Sequence, residues 1–100
     1  MKHLLLTAAL FSALFTCAQD AQPDMLAGMT ALRKADHATA EKAFTAAAAA
    51  SPDDPRTWYY RAVNRMESGD ANGALSDLER SLSLDPTDVH TLLRRAEVLS

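Results

Sequence analysis

The chain has 100 residues, 48% of them hydrophobic, with 13 acidic side chains against 10 basic ones. That length holds one small domain at most. The acidic balance, with Arg and Lys scattered along the chain, offers no electrostatic footprint for nucleic acid.

Lys2 and His3 precede a run of apolar or small residues, Leu4 to Phe15, which relaxes into Thr16-Cys17-Ala18-Gln19. A basic start, a short apolar stretch and a small-residue exit are the parts of a secretory signal peptide, here expected to be cleaved after Ala18. A membrane-spanning helix needs about 20 apolar residues, and Leu4 to Ala18 is shorter. The expected destination is a bacterial periplasm or the exterior. Cys17, after Leu14-Phe15-Thr16, resembles the acylated cysteine of a lipobox, although such boxes favour small residues where Phe15 and Thr16 stand. Membrane attachment is expected only if Cys17 is lipidated. Cleavage after Ala18 removes Lys2 and Cys17, leaving nine basic residues against 13, a net charge of −4, and no thiol for a disulfide.

Residues 19–23 form a polar lead-in, and Pro23 suits the first turn of a helix. Met25, Met29 and Leu32 recur at helical spacing through Ala35. Asp36 is a natural N-cap for a second helix through Ala40, Ala43, Phe44 and Ala47 to about Ala50. Its Ala46–Ala50 run has the highest intrinsic helix propensity and lets neighbouring helices approach closely. Pro52 cannot continue that helix, and Asp54-Pro55 restarts the chain as an N-cap followed by a favoured first helical residue. Trp58, Ala62, Val63 and Met66 mark the third helix, Gly69 ends it in a left-handed conformation, and Asp70 caps a fourth. Leu75, Leu78, Leu82 and Leu84 carry the fourth to Asp85-Pro86. A fifth follows Thr87-Asp88, with Val89, Leu92, Leu93, Ala96 and Leu99 on its apolar side. No segment alternates as a strand does, so the fold class is all-α.

The outline repeats. Pro52 and Pro86 stand 34 residues apart, and the same step takes Asp36 to Asp70, Ala40 to Ala74, Phe44 to Leu78, Asp54 to Asp88, Thr57 to Thr91, Arg61 to Arg95 and Ala62 to Ala96. A helix pair on that period resembles the tetratricopeptide repeat (TPR) family. Trp58, Ala62, Gly69, Ala74, Leu78 and Pro86 carry the match in one copy, and Gly28, Ala40, Phe44, Ala47 and Pro52 in the other. The departures are Arg65, where the family usually has tyrosine, Ser81, where it has alanine, and Asp24, where it has tryptophan. The resemblance implies repeats at about 21–54 and 55–88, a partial third repeat or capping helix at 89–100, and a domain over 24–100 stacked as a short right-handed α-solenoid. Small residues at Ala62, Ala74 and Ser81 fit the contact between paired helices, with Trp58 and Leu78 filling the space beside it.

In such stacks the first helix of each pair lines the concave face. The resemblance therefore implies a partner-binding groove of Met25, Met29 and Leu32, then Tyr59, Val63 and Met66, then Leu93, with Arg56, Glu67 and His90 near its rim. These residues either bind a protein or peptide or are covered by a further helix or the N-terminal segment. One TPR subclass grips the C-terminal carboxylate of chaperones with lysines and asparagines, and Met25, Met29, Tyr59 and Tyr60 occupy the corresponding places here. An apolar ligand segment suits the surface better, with Tyr59 and Met66 as anchors. A short assembly subunit docked into a larger envelope complex is the alternative.

Chemistry has little support. His3, His37 and His90 lack paired metal spacing, and His37 at a helix start reads as solvated. Asp77 with Glu79, and Asp77 with Arg80, read as surface charges. There is no phosphate loop, nucleophile elbow or Ser/His/Asp arrangement, so no enzyme activity, cofactor, metal or small-molecule substrate is expected. Stacks of this kind usually need about three units. Two pairs and one helix leave Leu92, Ala96 and Leu99 without a partner helix. Continuation of the chain, a homodimer through 89–100, or repacking of the last helix as a cap would each cover them.

Overall fold

The computed structural model describes residues 22–100, and the expected signal peptide over residues 1–18, with Cys17, lies outside them. Among the described residues there are five helices and no strand: α1 Pro23–Arg33, α2 His37–Ala50, α3 Pro55–Glu67, α4 Ala71–Leu84 and α5 Val89–Leu99. No helix among them is long and apolar enough to cross a membrane.

Four aspartates set the helix starts. Asp36, Asp54, Asp70 and Asp88 accept the backbone N–H of Thr39, Arg56, Gly73 and His90 respectively, each satisfying a donor that the first helical turn leaves without a partner. The pair turns close alike. Asp36 N–H donates to Ala31 O and Ala35 N–H to Leu32 O; one repeat on, Asp70 N–H donates to Arg65 O and Gly69 N–H to Met66 O. This double bond pattern needs a left-handed residue before the aspartate. Gly69 supplies it at φ 91°, and Ala35 takes the same turn at φ 59° despite its Cβ.

Consecutive helices pack in order, α1 on α2, α2 on α3, α3 on α4 and α4 on α5, which is the arrangement of a helix-pair solenoid. One core cluster holds Met25, Ala31, Ala40, Phe44 and Ala47, and a second holds Ala62, Ala74 and Leu78. The small residues are where the helices meet. A Cβ built on Gly28 would lie 2.5 Å from Cε1 of the fully buried Phe44 ring, so a larger residue there forces the pair apart. Ala62 and Leu78 occupy the equivalent places one repeat later, and both are fully buried. On α5 only Thr91 is buried, and Val98 packs against the second cluster while Val89, Leu92, Leu93 and Leu99 are exposed.

Three polar features differ from the sequence expectation. Asp77 is a buried anchor and not a surface charge: Arg61 and Arg65 of α3 both reach its carboxylate, and Arg65 also grips Glu41 of α2. The hydrogen bond to Glu41, with the charges of Asp77 and Glu41, holds Arg65 above the ordinary arginine range against the opposing effect of burial. Arginine at the place of the family tyrosine thus becomes a tie among three helices. His37 is half-buried, with Nδ1 2.8 Å from Asn64 Oδ1 while Asn64 Nδ2 donates to the His37 carbonyl. Trp58 is only half-buried. Its indole N–H donates to Pro52 O at 2.9 Å, and the Arg61 and Arg80 guanidinium carbons lie 5.1 and 5.7 Å from its ring. Ser81, the other departure, is fully buried and satisfied by donating to Pro55 O.

Candidate partner-binding groove

The first helices of the pairs, α1 and α3, with α5 beside them, carry the candidate groove. The Tyr60 ring stacks on the buried Phe44, with centroids 6.1 Å apart and planes 17° from parallel. Tyr59 meets Tyr60 edge-on at 5.2 Å. Aromatic pairs in these offset and T-shaped arrangements attract one another by about 0.5–1.5 kcal/mol, and the tyrosines form a ridge in which Tyr60 stands between two depressions.

On the α1 side of the ridge, Leu26, Met29, Thr30, Leu32, Arg33 and Tyr60 line an apolar pocket of about 260 Å³. On the α5 side, a cleft of about 350 Å³ is lined by Pro55, Arg56, Tyr59, Tyr60 and His90, and by Asp85 and Asp88 from the turn before α5. Tyr60 belongs to both.

Their electrostatics differ. Arg56 donates to both carboxylate oxygens of Asp54, at 3.1 Å from Nε to Oδ1 and 2.7 Å from Nη2 to Oδ2. Those bonds lower the Asp54 carboxyl below its ordinary range and raise Arg56. Asp85 Oδ1 accepts from the Thr87 hydroxyl, and Asp88 accepts from His90 N–H and the Thr91 hydroxyl. No ion pair among the described residues involves Asp85, Asp88 or Arg33. Further along α5, Tyr59 and Glu97 raise Arg94 above the usual arginine range, with Glu97 at 3.2 Å from it.

The residues named from the sequence are distributed unevenly over this surface. Met29 and Leu32 share the apolar pocket, and Tyr59 lines the cleft. Val63 and Met66 are half-buried on α3 outside both depressions, with Met66 packed on the second core cluster. Leu93 stands 58% exposed on α5. Met25 is corrected: it is 5% exposed and packs in the core with Phe44, so it offers no surface to a ligand. Tyr60, Leu26, Asp85 and Asp88 were not singled out as site residues. Leu26 and Tyr60 stand one 34-residue step apart, and that shared register was the available signal. Among the described residues no group of three or more His, Cys, Asp or Glu is placed to hold a metal ion.

No family model and no curated protein sequence matches the chain. Among solved structures it is similar to the TPR2B-domain:pHsp70-complex of yeast Sti1, with a TM-score of 0.76 and 26% sequence identity. The match covers 79% of this chain and 63% of that one, so the chain spans less than two thirds of the neighbour's length. Two helix pairs on a 34-residue step, closed by matching turns and similar in structure to that domain, give this chain the all-α fold of a tetratricopeptide-repeat solenoid.

Proposed function

We propose that the chain is an exported interaction scaffold that holds a peptide or protein segment in the groove of α1, α3 and α5. The observation that carries this is the Tyr59–Tyr60 ridge with a depression on either side. Such a surface suits side chains projecting from an extended or helical ligand. The structural neighbour is a complex with pHsp70, which supports a protein or peptide partner. Met29 adds an adaptable wall, since thioethers repack around irregular ligands. Export rests on the sequence of residues 1–18, and the intact mass of the secreted or periplasmic protein tests it. A mass beginning at Gln19 supports cleavage, a mass beginning at an acylated Cys17 points to a lipoprotein, and the full unprocessed mass contradicts cleavage.

The groove is tested by substituting Met29 and Tyr59, one from each depression, together with alanine and measuring peptide binding. A drop of well over tenfold, with the helical content retained, supports the reading; unchanged affinity counts against these two anchors. A second reading, an assembly subunit docked through α5, is favoured by the exposure of Val89, Leu92, Leu93 and Leu99. Exposed contiguous apolar surface marks interaction sites. Sedimentation distinguishes it, because a concentration-dependent dimer lost on Leu93→Glu and Leu99→Glu supports docking, and a monomer at all concentrations contradicts self-association.

A further inference from the structure

Resting on the groove reading, a more specific partner chemistry follows from the two sides of Tyr60. The α1 pocket is apolar, and the charge beside it is Arg33, whose guanidinium has only the Thr30 hydroxyl at 3.5 Å and no carboxylate partner among the described residues. The α5 cleft carries the opposite sign. Of its two basic side chains, Arg56 is already neutralised by Asp54 at 2.7 Å and the other is the His90 imidazole, whereas Asp85 and Asp88 line the cleft with no ion pair among the described residues. Asp85 uses only Oδ1 for its bonds to Thr87, leaving Oδ2 free among the described residues. Tyr59 and Tyr60 line the same cleft. Carboxylates attract a cation by charge and by hydrogen bonding, and aromatic faces attract it through their quadrupole.

We propose that the groove selects a peptide segment carrying a bulky apolar side chain beside a lysine or arginine. The apolar side chain fills the Leu26–Met29–Leu32–Tyr60 pocket, and the cation enters the cleft against Asp85 and Asp88. Arg33 repels a cation from the apolar end, so the charge pattern fixes the direction in which the segment lies. An acidic side chain at the same position would meet two carboxylates at close range, and like charges across an interface suppress wrong partners.

The test is fluorescence anisotropy of the full chain with labelled dodecapeptides on a Gly/Ser background. Each peptide carries one Leu or Phe and one Lys, Ser or Glu, set one to four residues away on either side. The Lys series is expected to bind about tenfold or more tighter than the Glu series, with a preference that shrinks as salt rises and that Asp85→Asn removes. Equal binding of the Lys and Glu series, or tighter Glu binding, overturns this charge assignment while leaving the groove reading intact. A Lys preference that survives Asp85→Asn places the cation elsewhere and also overturns the assignment. Failure of every peptide, Leu and Phe with Ser included, overturns the groove reading with it.

Discussion

Arg61 holds the buried Asp77 carboxylate through two hydrogen bonds, Nε to Oδ2 at 2.9 Å and Nη2 to Oδ1 at 2.8 Å. Arg65 approaches the same carboxylate at 3.1 Å and carries the tie on to Glu41. Removing one partner of a buried pair leaves charge without compensation, which costs about 3–5 kcal/mol. Asp77→Ala is therefore expected to lower thermal stability severely, because the side chain is 3% exposed and two arginines face it. Replacing Arg61 and Asp77 together with Met and Leu should cost much less. Thermal melts of the single and double variants check both statements.

Gly28→Ala separates packing from helix propensity. In an exposed helix the change would stabilise by about 1 kcal/mol. Here the new Cβ would meet the Phe44 ring at 2.5 and 2.6 Å, and overpacking of this kind costs about 1–3 kcal/mol. The melting temperature is expected to fall, and a rise would show that α1 and α2 can part without penalty.

Ala35→Gly should act in the opposite direction. Ala35 is exposed and sits at φ 59°, the conformation that Gly69 adopts in the next repeat. A left-handed non-glycine residue costs roughly 1–2 kcal/mol, part of which glycine returns through greater freedom in the unfolded chain. A net gain of about 0.5–1 kcal/mol is expected, read as a higher midpoint in urea unfolding with an unchanged slope.

Acid should loosen the starts of the helices. The Asp54 carboxyl is held below 3.8 by side-chain hydrogen bonds from Arg56, then by the Arg56 backbone N–H and its charge, against the opposing effect of burial. Asp36 is likewise lowered, by its hydrogen bonds with Thr39. A carboxyl with a lowered folded value binds protons more readily when unfolded. Its stabilising effect is thus present above the ordinary carboxylate range and is lost as the pH falls through the folded value. Stability is expected to decline below about pH 4, and Asp54→Asn should flatten that decline while lowering stability at pH 7. Melts from pH 7 to pH 2 give the comparison.

The parts legible in the sequence were those set by neighbouring residues. Asp36, Asp54, Asp70 and Asp88 each open a helix because a cap acts on N–H groups two or three positions on. The 34-residue step made the helix pairing readable from Phe44, Leu78 and the small residues opposite them. Contacts between helices were less accessible. Asp77 stands beside Glu79 and Arg80 on α4, where local spacing reads as a charged surface, yet its partners lie 16 and 12 residues earlier on α3. His37 and Asn64 are separated by 27 residues. Met25 and Tyr59 share one repeat position, but Met25 packs beside Phe44 while Tyr59 keeps a face toward the cleft. Periodicity gave them equal standing, and their side-chain packing separated them.

The most direct test of the groove is an NMR titration of the isotope-labelled protein with a bound peptide from the Leu/Phe–Lys series. The account predicts that the largest shifts fall on Met29, Leu32, Tyr59, Tyr60 and Asp85, the residues around the two depressions. Shifts confined to α2 and α4, with the tyrosine ridge unmoved, would contradict it.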